Sequence, residues 1–144
     1  MAMRETERSL AAYLVLSGVL GTIHALNTAK DLLPITLPAS WAVTLWFYAL
    51  SHLVLGIAYV VAGVRLKSAL PTGAGGIRNV LQGSIALLIL DSVLLASVVG
   101  LKVGQGDLIL SFIGLAITIY LLVNLRRLAA EAMARAVPPA RVVE

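Results

Sequence analysis

Cysteine is missing from this 144-residue sequence, and charge is scarce: seven acidic and eleven basic side chains make up 12% of it. Without a thiol there is no cysteine nucleophile, no Cys-type zinc or iron–sulfur ligation and no disulfide. So little charge cannot build the polar shell of a soluble domain, in which about 25% of residues are charged. With 60% hydrophobic residues and a mean hydropathy of +0.97, the apolar excess has to face lipid. The HExxH, GxSxG, GxxxxGK[ST] and GxGxxG patterns are also absent, and GAGG at residues 73–76 lacks the Lys-Ser of a phosphate loop. Neither hydrolytic nor phosphoryl-transfer chemistry is therefore indicated.

What is present is long apolar runs. A helix needs about 20 residues to cross a hydrocarbon core of about 30 Å. Cutting the chain at its charges leaves four such runs, at residues 10–29, 41–64, 79–101 and from 108 to about 125. A membrane β-strand needs only about 9–11 residues of alternating polarity, so continuous runs of this length are helices. Prolines 34 and 38 mark the first connector, PTGAGGIR reads as a flexible second one and KVGQGD as a tight third. The first run follows Arg4 and Arg8 without a small-x-small cleavage pattern, so a retained helix rather than a signal peptide is expected. The fold class is all-α: a four-transmembrane-helix bundle forming one membrane domain over residues 1–144.

Charge sets the expected orientation. Nine of the eleven cations fall in the N-terminus, the second connector and the tail, and only Lys30 and Lys102 lie on the opposite side. By the positive-inside bias, both termini are cytoplasmic and the protein is a multi-pass protein of the cell membrane. The net charge of +4 thus reads as topology, and its dispersal over three segments argues against nucleic acid as a partner. Trp41, Trp46, Phe47 and Tyr48 crowd the outer end of the second run, as interfacial aromatics do. The segment LRRLAAEAMARAV carries the fourth helix on to about residue 136. It has an apolar face and an Arg127, Glu131, Arg135 ladder at i, i+4 spacing. Continuation into cytoplasmic solvent is expected, a docking or lipid-surface helix being the sharper alternative.

Ionisable groups inside the spans are expensive and mark candidate sites. His24, His52 and Asp91 qualify. His52 lies about 16 Å from the outer end of the second helix and Asp91 about 15 Å from the same side on the third, at a rise of about 1.5 Å per residue. A hydrogen-bonded His52–Asp91 pair is therefore expected, working either as a proton relay or as interhelical glue. Ser17, Gly21, His24 and Thr28 share one face of the first helix, and Ala49, His52, Gly56, Tyr59 and Gly63 share one of the second. Ser111, Gly114 and Thr118 share a face of the fourth. These small, polar stripes point inward and allow close approach, so His24, Asn27 and Tyr59 are secondary inward polar residues. Two inward histidines raise a bis-histidine haem b, but His24 is placed about 7 Å shallower than His52 by the helical rise. No metal site and no resident cofactor are expected, haem b or a quinone being the alternatives.

The topology, with GxxH (Gly21 to His24) closing the first helix and a proline-bearing outer loop, resembles DoxX-like membrane proteins. The sequence favours a small non-catalytic integral membrane protein, a subunit or scaffold packing on other membrane subunits or on itself as a homo-oligomer, with the lipid bilayer as its constant partner. The alternative is a proton-coupled small-molecule transporter or quinone-interacting protein built on His52 and Asp91.

Overall fold

The computed structural model describes residues 4–100 and 105–136. Four long helices run up and down: α1 (Glu5–Leu32), α2 (Ala39–Ala69), α3 (Gly75–Leu94) and α4 (Gln105–Ala136). All four are long and apolar enough to cross a membrane, and the described residues contain no strand. The protein is an all-α four-helix bundle, in which α1 packs mainly on α2 and α3 mainly on α4, with α2 joining the two hairpins.

The helices outrun the apolar stretches read from charge, because a charged residue ends a membrane crossing without ending a helix. The second connector is a compact reversal rather than a flexible segment. Pro71 sits in a short 3₁₀ turn, Leu70–Thr72. Gly73 then takes φ +83° while its N–H bonds the Leu70 carbonyl and that of Ala74 bonds the Ala69 carbonyl. That pairing is the Schellman arrangement, which needs a residue with positive φ and so favours glycine. Gly75 and Gly76 already belong to α3. At its far end α3 widens into a π-turn, Leu95–Val99, closed by the Gly100 N–H on the Leu95 carbonyl at 3.0 Å. The expected helix to residue 101 thus loses its α geometry at Leu95, and residues 101–104 lie outside the described part. Gln105, Gly106 and Asp107, expected in the third connector, form the first turn of α4.

Between α1 and α2 the backbones touch. A Cβ on Gly18 would stand 2.5 Å from the Gly56 carbonyl oxygen, and one on Gly56 would stand 2.8 Å from that of Gly18 and collide with the Thr22 hydroxyl. Gly63 meets Ala11 and Val15 in the same way. The close-approach seam on α1 is therefore Ala11, Val15, Gly18 and Thr22, one position round from the expected Ser17, Gly21, His24, Thr28 stripe. Small residues at such a seam let dispersion replace the missing hydrophobic drive between helices in lipid.

Buried apolar side chains form two clusters. The larger surrounds Leu14, Leu66, Leu81, Leu121 and Leu125 towards the end holding both described termini, and the smaller is Tyr48, Leu95 and Val99 near the other end. A polar layer separates them. Beyond the apolar stretch α4 stays helical to Ala136, yet it does not simply enter solvent: Leu128 and Ala129 are buried. Arg135 Nη2 donates to Glu7 Oε1 at 2.9 Å, and the Arg4 N–H donates to Glu7 Oε2 at 3.0 Å. The extension thus clasps the start of α1.

Candidate functional site

The polar layer is assembled from all four helices. On α2, Tyr48 and His52 are one turn apart and Ser51 lies between them in sequence. Asp91 comes from α3, His24 from α1, and Asp107 and Ser111, again one turn apart, from α4. Helical spacing of four puts each pair on one face, and the apolar clusters above and below fix the depth at which these faces meet.

His52 and Asp91 are brought together, with a third residue between them. His52 Nδ1 is 3.5 Å from Asp91 Oδ2, outside good hydrogen-bond range, while the Ser51 hydroxyl is 2.9 Å from the same carboxylate oxygen. Nδ1 instead lies 3.0 Å from the Tyr48 carbonyl oxygen. A carbonyl only accepts, so the imidazole carries its proton on Nδ1, and Nε2 remains the acceptor of the neutral ring. Ser51 has one proton and two acceptors at 2.9 Å, Asp91 Oδ2 and the Tyr48 carbonyl. With Asp91 ionised the hydroxyl donates to the carboxylate. With Asp91 protonated on Oδ2 the acid donates to Ser51, which turns to the carbonyl. The hydroxyl therefore reports the protonation state of a carboxyl group that is 1% exposed.

His24 enters from the other side. Its Nε2 is 3.1 Å from the Tyr48 hydroxyl and 4.0 Å from Asp107 Oδ1. The two imidazole centroids are only 6.1 Å apart, which corrects the expected depth mismatch. The cause is the backward tilt of the Cα–Cβ bond towards each helix's own N-terminus. On antiparallel α1 and α2 this tilts the two side chains towards one another and closes most of the gap. Tyr48 bridges them, its ring 4.1 Å from that of His52 and 6.0 Å from that of His24. Among the described residues no group of three or more His, Asp or Glu side chains is placed to hold a metal ion.

Next to the histidines is a cavity of about 350 Å3. His24, Gly21 and Ser17 of α1, His52, Gly56 and Tyr59 of α2, Leu88 of α3 and Leu110, Ile113, Gly114, Ile117 and Thr118 of α4 line it, with Leu20 and Leu55. The walls are apolar except for the imidazoles and a few hydroxyls, and Tyr59 already shares a 2.8 Å hydrogen bond with Thr118. Two buried polar atoms in the layer, Asp91 Oδ1 and Ser111 Oγ, have no hydrogen-bond partner among the described residues.

Of the residues singled out from sequence, His52, Asp91, His24 and Tyr59 all belong to this layer or line the cavity. Asn27 does not: it is exposed on α1, because three residues on from His24 it lies about 60° round the helix on the side away from Ser17, Gly21 and Thr28, at the outer edge of that stripe. Tyr48, expected as an interfacial aromatic, is 1% exposed and central. Ser51 and Asp107 were legible only through spacing: Ser51 adjoins His52, and Asp107 reads as an acid favoring a helix N-terminus until α4 is laid beside His24.

Replacing Asp91 tests the layer. Asp91→Asn keeps an acceptor for Ser51 and should cost no more than about 0.5 kcal/mol of unfolding free energy, the low end for one net hydrogen bond. Asp91→Leu removes it, but Ser51 can turn to the Tyr48 carbonyl, so the cost should stay near the low end, about 1 kcal/mol, of that for losing a buried partner. Reversible unfolding in mixed micelles measures both. A loss above about 3 kcal/mol for the asparagine variant would mean that the charge itself holds the bundle together.

No protein-family model, no curated protein and no solved structure matches this chain.

Proposed function

We propose that this membrane protein binds a lipid-soluble molecule with hydrogen-bonding oxygens, of the quinone class, in the cavity beside His24 and His52. The supporting observation is the cavity's composition: an apolar chamber of about 350 Å3 with two imidazoles in its wall. Binding sites of this kind are mostly apolar, with a few polar groups that fix orientation. A ring carbonyl oxygen accepts a hydrogen bond from a protonated imidazole nitrogen, and a ring hydroxyl donates to a neutral one. His52 Nε2, which has no hydrogen-bond partner among the described residues, offers the second. Asp91 and Ser51 stand behind His52 as the proton side of the site, and Asp107 stands behind His24 at the more exposed end.

Decylubiquinol, whose two ring hydroxyls can donate to His52 Nε2, titrated into the purified protein and followed by quenching of its two tryptophans, is the test. Saturable binding is expected, weakened about tenfold or more by His52→Leu, as loss of a buried hydrogen-bond partner implies. Gly114→Leu, which fills the chamber where only Leu88 side-chain atoms lie within 4 Å of the new Cβ, should abolish it while the chain stays folded. Non-saturable partition into micelles, equal in all three proteins, contradicts the reading.

A scaffold or membrane-complex subunit is the second reading, and one observation favours it: α1 and α4 pack far less on each other than on their hairpin partners, leaving a seam that another helix could cover. Mass measurement of the detergent-solubilised complex separates a monomer from an oligomer. For orientation in the cell membrane, the cation distribution supports cytoplasmic termini. A cysteine at Thr36, in the exposed first connector, should react with an impermeant maleimide added outside intact cells. One at Thr72 should not, and the reverse pattern would invert the topology.

A further inference from the structure

At the end of the bundle that holds the N-terminus of α1, two clefts differ in charge. The larger, about 640 Å3, lies between the start of α1 and α4 and sets Arg4 and Arg127 beside Glu5 and Glu131. Its charges are matched: Arg127 Nε is 3.2 Å from Glu131 and Arg4 is 3.8 Å from it. The smaller, about 110 Å3, lies between the turn at Gly73 and α4, and its lining includes Arg78 and Arg126 but no acid. Among the described residues neither guanidinium has a carboxylate within ion-pair distance. Arg78 moreover stands in the first turn of α3, where a cation opposes the helix dipole, an arrangement that an anion between the two arginines would offset.

We infer that the Arg78–Arg126 cleft binds the phosphate group of an anionic phospholipid. Two guanidinium forks supply paired N–H donors in the geometry that phosphate oxygens accept. One water occupies about 30 Å3, so the cleft takes a headgroup phosphate and not a whole lipid. The acyl chains belong outside, along exposed Val123 and Ile119, one and two turns deeper on α4. Both arginines flank the apolar stretches of their helices, which places them at headgroup depth, where basic pockets between transmembrane helices recruit anionic lipid. That location favours a lipid over free phosphate. This site is separate from the histidine cavity and does not depend on what that cavity holds.

Native mass spectrometry of the protein extracted from bilayers of mixed phosphatidylglycerol and phosphatidylcholine tests it, with the thermal unfolding midpoint as a second readout. Wild type should retain phosphatidylglycerol in preference to phosphatidylcholine and be stabilised by it. The double variant R78Q/R126Q should lose about tenfold in that preference, with an unchanged midpoint in phosphatidylcholine alone. The control R65Q/K67Q, which removes two cations from the same end, should keep it. If the double variant unfolds, Arg78→Lys and Arg126→Lys, which keep the charge and lose the fork, should each show a partial loss. Equal retention of both lipids, equal loss in the control, or a midpoint rise reproduced by inorganic phosphate alone would overturn the assignment.

Discussion

Gly56→Leu should prevent the α1–α2 hairpin from closing. The new Cβ would meet the Gly18 carbonyl oxygen and the Thr22 backbone nitrogen at 2.8 Å, as well as the Thr22 hydroxyl, and the first two are backbone atoms that no rotamer change can clear. Overpacking usually costs about 1–3 kcal/mol, and a collision with backbone belongs above that range. Gly18→Leu should behave alike, since its Cβ faces the Gly56 carbonyl oxygen and the Val60 backbone. Gly83→Ala is the control. Nothing lies within 4 Å of its Cβ, and removing a glycine from a helix interior should stabilise by up to about 1 kcal/mol. Unfolding titrations in mixed micelles should rank Gly83→Ala at or above wild type and both leucine variants far below. Wild-type stability in Gly56→Leu would mean that the two helices do not meet at this seam.

Arg135→Glu should be the most damaging change of a charged residue in the extension. Its partner Glu7 has a side chain only 9% exposed and would lose the guanidinium that neutralises it while gaining a like charge. Breaking a buried pair from one side costs about 3–5 kcal/mol. With Arg135 itself 27% exposed, solvent screening brings the expected loss down to about 2 kcal/mol. The exchange Glu7→Arg with Arg135→Glu should recover only part of it, because an arginine at position 7 cannot accept the Arg4 N–H that Glu7 now holds at 3.0 Å. Full recovery, or no loss in the single variant, would show the clasp to be incidental to stability.

The four helices could be read from sequence because the constraint is blunt: continuous apolar runs bounded by charge have one stable form in lipid. Their ends were less legible. A charge such as Arg65 leaves the bilayer without breaking a helix, so α2 runs on to Ala69 and only Pro71 and Gly73 turn the chain. The inward faces of α2 and α4 followed from spacing, whereas on α1 the stripe through Ser17 and Gly21 lines the cavity and its neighbour through Gly18 and Thr22 makes the contact. Both stripes carry small residues, and period alone does not rank them. In the polar layer, depth counting along helices brought His52 and Asp91 together because their helices meet nearly level. It set His24 apart from His52 because it counted Cα positions and ignored which way the side chains tilt. Ser51 and Tyr48 were hidden for a different reason: a serine and a tyrosine in a membrane helix are ordinary residues until a carboxylate and an imidazole from other helices are placed against them.

Quinone content of the purified protein is the most direct measurement of the central proposal. Organic extracts of wild type and Gly114→Leu, prepared from the same membranes at equal protein, are to be compared by absorbance and mass spectrometry. The expected result is a quinone-class molecule retained by wild type in stoichiometric amount and reduced to the membrane background in Gly114→Leu, whose fold is verified by its unfolding midpoint. Background-level quinone in wild type, or equal amounts in both proteins, would contradict a binding site in the chamber beside His24 and His52.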